Sequence, residues 1–198
     1  MLQLNKYFRK VSGHFRTNAM RILFHWFYGL PILNAVLMLL AATVIFLFLR
    51  DKIGNTPHWT TGITFLLLCW IAVIILGTLG QRAEGENQSA PILTPFYSYY
   101  IALCDGQREL YRSNFMNVVL FYPAGLLSFQ LLPKQWHTGR RTVLTVCAFI
   151  PVSMCIEYAQ YLFGLGLAEI DDVIHNGLGA LLGAVAGGIP VLAMIKKQ

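Results

Sequence analysis

Apolar and polar positions fall in long blocks along this chain, without the short alternation of a soluble strand or the two-faced stripe of a surface helix. Five apolar blocks stand out, at 32–49, 60–79, 115–132, 142–165 and 172–195. Each is close to the roughly 20 residues that carry a helix across a bilayer core. Arg50 and Lys52 close the first, and Trp59 precedes the second, which Gln81 and Arg82 follow. A basic turn from Lys134 to Arg141 separates the third from the fourth, and Lys196 and Lys197 close the fifth. The pattern predicts an all-α fold, a polytopic membrane bundle of about five transmembrane helices. Pro123 and Gly125 in the third block, and Pro151 in the fourth, predict that these two helices are broken or kinked. Proline removes a backbone donor, and the carbonyl it frees must be covered by protein or a wet cavity.

The polar stretches divide the chain into three parts. Residues 1–30 mix Lys6, Arg9, Lys10, Arg16 and Arg21 with Tyr7, Phe8, Phe15 and Trp26, which reads as a basic, aromatic interfacial segment. Residues 31–90 hold two scaffold helices and a loop, since neither block carries a charge. Residues 91–195 hold the remaining three helices. Within the intervening polar stretch, 80–95 is rich in Gly, Glu, Asn, Gln, Ser and Pro and reads as loop. The run Pro95-Phe96-Tyr97-Ser98-Tyr99-Tyr100 then predicts chain lying at the membrane interface.

Composition narrows the classes further. The chain is 56% hydrophobic and 12% charged, with mean hydropathy +0.57. A soluble domain carries about 25% charged residues, so these 198 residues read as an integral, multi-pass membrane protein. The net charge of +6 comes from loop and tail residues, where it sets topology and meets anionic lipid. No basic stripe or zinc-finger spacing is present, which argues against nucleic acid. Cys69, Cys104, Cys147 and Cys155 have no metal-ligand spacing. The flanks of the first block, five basic residues before it against two after, lean toward an inside N-terminus.

Polar residues return where oil should continue. Ser153, Glu157 and Gln160 are spaced by four and three, so they share one helical face. Asp172 and Asn176 are four apart on the fifth block, and Asp171 and Asp172 stand at its start, where a helix dipole favours negative charge. The short turn between the two blocks predicts an antiparallel pair that brings Glu157 and Gln160 toward Asp172 and Asn176. Asn117, near the start of the third block, enters from the same side. His175 points about 100° away from Asn176 around the helix, which reads as a packing or lipid-facing residue. Below this layer Gly179, Gly183 and Gly187 form a small-residue seam for close packing.

A carboxylate in hydrocarbon needs a partner or water. Asn117, Glu157, Gln160, Asp171, Asp172 and Asn176 are therefore the candidate ligand-binding residues, with a buried register-setting network as the bland reading. Paired carboxylates could instead divide acid and base roles on a lipid or glycan phosphate, with or without a divalent cation. No metal-ligand motif is present and no cofactor is expected. Nor does the chain contain a nucleophile elbow or a phosphate-cradling loop.

The order and spacing of these residues resemble the VanZ-like membrane protein family, named for a protein associated with teicoplanin resistance. The likeness spans roughly 91–187. It includes Thr94–Phe96, then Asn117, Phe121, Pro123 and Gly125 in NVVLFYPAG, and Ser153, Ile156, Glu157 and Gln160 in SMCIEYAQ. It ends with Asp171, Asp172, Asn176, Gly179 and Gly183. The resemblance implies a membrane protein that handles or protects a lipid-linked cell-envelope component, with glycopeptide resistance as the associated trait. Implied partners are membrane lipids or a lipid-linked intermediate; a membrane-protein partner or second copy is the scaffold alternative. One departure stands out. The family pattern places an arginine shortly before the acidic pair, whereas this chain reads GLGLAE with no basic residue from Leu162 to Glu169. Arg108, Arg112 and Arg140 are the candidate substitutes.

Overall fold

The structure, a computed structural model, describes residues 32–54, 56–79, 90–105, 107 and 109–190. The 1–30 segment, the loop centre at 80–89 with Arg82, Arg108, and Lys196 and Lys197 lie outside the described residues. Six helices make up the described chain: α1 (Ile32–Ile53), α2 (Pro57–Leu79), α3 (Tyr97–Cys104), α4 (Glu109–Leu131), α5 (Thr138–Phe163) and α6 (Ile170–Gly187). No sheet joins them, and the single strand-like contact is a parallel bridge between Ile92 and Glu169.

Helices α1 and α2 form because hydrocarbon leaves the backbone no partner but itself. Their threonines follow the same rule. Thr43, Thr64 and Thr78 donate their hydroxyls to the carbonyls of Leu39, Thr60 and Ile74, one turn back. Leu33, Met38, Ile45, Phe65 and Leu68 are exposed, as suits side chains whose solvent is lipid. Helices α1, α2 from His58, and α5 are long and apolar enough to cross a membrane. The expected count of five is not reached by that measure. Helices α4 and α6 fall short because they carry Glu109, Arg112, Asn114, Asn117, Asp171 and Asp172 and spend their surface on neighbouring helices.

The tightest contact in the bundle is α6 lying parallel on α4. A Cβ on Gly179 would overlap the Val118 carbonyl, one on Gly183 the Tyr122 carbonyl, and one on Gly125 the backbone of Ala180. Gly187 continues the seam against Phe129 and Gln130. Glycine at these positions lets backbone meet backbone, and dispersion rather than water release then holds the pair in lipid. Around the seam, Ile74, Leu120, Phe121, Ala124, Phe149, Ile156 and Ala180 form the apolar core.

Neither proline breaks its helix. Helix α4 runs unbroken through Pro123 and α5 through Pro151. The Leu120 carbonyl, three residues before Pro123, accepts the Trp70 indole N–H at 2.8 Å. A side chain from α2 thus covers backbone in the turn that proline disturbs.

Candidate functional site

The starts of α4 and α6, the ends of α2 and α5, and the short helix α3 meet at one end of the bundle. The polar residues singled out in the sequence lie here, each on a different duty. Asp171 is 1% exposed and faces α3. Its Oδ1 accepts from Phe96 N (2.5 Å), and its Oδ2 from Ser98 N (2.9 Å) and Ser98 Oγ (2.5 Å). Phe96 precedes α3 in the left-handed region at φ 61° and offers no capping side chain. Asp171 caps the helix from 75 residues away, and charge-assisted bonds to a helix N-terminus are the strong kind. Asn114 completes the clamp by donating to Ser98 Oγ at 2.9 Å.

His175 is buried in the same contact, not facing lipid. Its Nδ1 lies 2.5 Å from the Asp171 carbonyl, and its Nε2 lies 2.7 Å from the Tyr99 hydroxyl. A carbonyl only accepts, so Nδ1 carries the hydrogen and, in the neutral ring, Nε2 accepts from Tyr99.

Asp172 turns the other way, toward α4, where Asn117 Nδ2 donates to its Oδ1 at 2.7 Å. One turn further along α6, Asn176 Nδ2 donates to Ser153 Oγ on α5 at 2.8 Å. Asn176 is 2% exposed, and its Oδ1 has no hydrogen-bond partner. A buried acceptor left in this state costs about 1–3 kcal/mol.

On α5, Ser153, Glu157 and Gln160 are all buried, as their spacing predicts. Two of them also reach partners outside the expected cross-pairs. Gln160 Nε2 donates to the Thr78 carbonyl of α2 at 3.1 Å. Glu157 Oε2 accepts from Glu169 N at 3.2 Å, where the backbone enters α6.

Beside Glu157 a cavity of about 190 Å³ opens between α5, α6 and the strap 91–93. Leu93, Met154, Tyr158, Tyr161 and Val173 supply its apolar wall, with Glu157 and Glu169 as its carboxylate-bearing residues. The strap is tied to the α5–α6 turn by Ile92 N to the Ala168 carbonyl and Ile170 N to the Ile92 carbonyl, both at 2.9 Å. Leu93, Met154 and Tyr158 are exposed where they rim this opening, so it opens on the outer side of the bundle.

The polar layer is one turn deep. Thr78, Asn117, Ser153 and Asn176 each stand four residues from an apolar core residue on the same helix, namely Ile74, Phe121, Phe149 and Ala180. At these four positions the next turn inward is apolar.

Sequence reasoning missed Ser98, Asn114, Tyr99 and Thr78, because their partners lie far away in the chain. It also treated Asp171 and Asp172 as a pair, although neighbours on a helix point about 100° apart. Arg140 does not stand in for the family-typical arginine. It stacks on Trp136 at 4.2 Å in the first turn of α5, about 25 Å of helix from Glu157. Arg112, in the first turn of α4, is at the carboxylate end. No group of three His, Cys, Asp or Glu side chains among the described residues is placed to hold a metal ion.

No curated protein and no solved structure matches the chain. The VanZ/LLP1 family model matches residues 63–190, which takes in most of α2, the strap, the clamp and the whole polar layer. With more than half of its length matched and an all-α multi-pass architecture, the chain belongs to the VanZ/LLP1 family of membrane proteins.

Proposed function

We propose that this protein holds an amphiphilic, lipid-linked component of the cell envelope at its carboxylate end. The observation that carries this reading is the lateral cavity beside Glu157, which offers an apolar wall and a buried carboxylate together. Hydrocarbon enters from the bilayer between α5, α6 and the strap, while the polar head meets Glu157 and the layer behind it. Helices α4 and α6 complete two further crossings, polar in composition because they face protein. Asp171 serves as a positioning residue that sets the strap and α3, and Asp172 with Asn117 and Asn176 shapes the inner wall. Family membership makes glycopeptide protection the trait to test.

In cells that depend on the chain for protection against teicoplanin, Glu157→Gln and Asp172→Asn each lower that protection several-fold at unchanged membrane levels. Full protection in both variants would reject this assignment of the site.

A further inference from the structure

We infer that α3 is an interfacial anchor. Its exposed face beds among the ester and headgroup atoms of the leaflet at the carboxylate end, and this sets the depth at which the cavity beside Glu157 opens. The inference does not depend on what the cavity holds.

The residues of α3 make two unlike faces. Ser98 and Ala102, four apart, are buried at 3% and 4% exposure. Tyr99 turns inward to His175 and Tyr111. Phe96, Tyr97, Tyr100 and Leu103 follow a three-and-four spacing on the other side and are exposed, Leu103 at 76%. Tyr97 and Tyr100 stack with ring centres 6.1 Å apart. No charged residue occurs from Pro91 to Cys104. Water is a poor solvent for so large an uncharged apolar face. The bilayer core is a poor one for tyrosine hydroxyls. A tyrosine-rich face suits the boundary between the two, where the ring meets acyl chain and the hydroxyl meets water.

The length of the bundle is an independent reason. At the basic end Trp59 stands in the first turn of α2, and Arg140 lies over Trp136 at the start of α5. Indole rings beside a cation mark one interface. Tyr158 and Tyr161, both exposed, stand near the end of α5 and line the cavity together with Leu93 of the strap. From Arg140 to Tyr161 along α5 is about 31 Å of helix, and from Trp59 to Leu79 along α2 about 30 Å. A hydrocarbon core is about 30 Å thick. With one interface at Trp136 and Trp59, the other falls at Tyr161. The strap and α3 are tied to that level through Ile92, which bonds the backbone of Ala168 and Ile170, and through Asp171.

The test uses the full chain in phosphatidylcholine vesicles, with Cys69, Cys104, Cys147 and Cys155 replaced by alanine. A nitroxide is attached singly through Tyr100→Cys or Leu103→Cys, both at exposed positions that tolerate a label. Gln135→Cys, exposed in the α4–α5 turn, is the reference for water. Power saturation against oxygen, which concentrates in lipid, and against a water-soluble nickel chelate gives the depth of each label. Labels at 100 and 103 are expected about 5–10 Å below the phosphates, reached by oxygen in preference to nickel. The label at 135 shows the reverse preference. Tyr97→Asp, on the same face, is expected to shift the label at 103 toward water. Nickel access at 100 and 103 equal to that at 135 would put the face in water and overturn the inference. Screening of both labels from oxygen and nickel alike would overturn it too, because a second copy of the chain would then cover the face. An unchanged depth at 103 in Tyr97→Asp would remove the anchoring role.

Discussion

The two ends of the bundle obey one electrostatic rule and put it to different use. At the basic end, cations close helix C-termini. Arg50 donates to the Gly187 and Ile189 carbonyls at 2.6 Å each, and Arg141 donates to the Phe129 carbonyl at 2.6 Å. At the carboxylate end, acids meet helix starts: Asp171 at α3, Glu157 at the backbone entering α6, and Asp172 in the first turn of α6. Both arrangements match the partial charges of helix termini. At the basic end Gln130 also donates to Gly187 and Arg141 packs over Phe129 at 3.8 Å, while Trp59 Nε1 and Arg141 Nε are buried donors without a hydrogen-bond partner. The carboxylate end is left with an open cavity and, a turn below, an acceptor without a donor. What separates the two ends is the opening beside Glu157.

The contrast can be destroyed, or cut at one end. The largest effect comes from Gly183→Leu, because a side chain there must displace the Tyr122 carbonyl and push α6 off α4. Both ends hang on that seam, so thermal unfolding in detergent should show a loss of about 2–3 kcal/mol, with binding lost as well. Next is Asp171→Asn, which weakens three bonds to α3 at a cost of about 2 kcal/mol. Hydrogen exchange should rise across 90–105 and stay unchanged at the α6 C-terminus. Smallest is Arg50→Ala, about 1 kcal/mol for the loss of a half-buried cap. Faster exchange appears only in the last turn of α6, and amphiphile binding is unaffected. If Arg50→Ala altered binding as much as Asp171→Asn, the division of labour between the ends would be wrong.

The parts of this architecture that were legible are those governed by local patterning. Apolar runs give the helices, the four-and-three spacing of Ser153, Glu157 and Gln160 gives a buried face, and the small-residue spacing points to a close seam. Helix α3 was hidden, since the residue that caps it is 75 positions away and no local capping signal stands at Phe96. The start of α5 was placed at 142 because Arg140 and Arg141 look like a turn. It begins at Thr138 because both arginines lay their guanidinium groups on neighbouring rings, and Arg141 also reaches back to α4. Gln160 reaches α2 through Thr78, a partner that the spacing along α5 alone does not reveal.

The apolar layer formed by Ile74, Phe121, Phe149 and Ala180 has an electrical consequence. From Asn117 to Phe121 on α4, and from Asn176 to Ala180 on α6, the interior passes from polar to apolar within one turn of helix. A charge drawn inward past the carboxylates would meet hydrocarbon side chains at that depth and lose its hydration there.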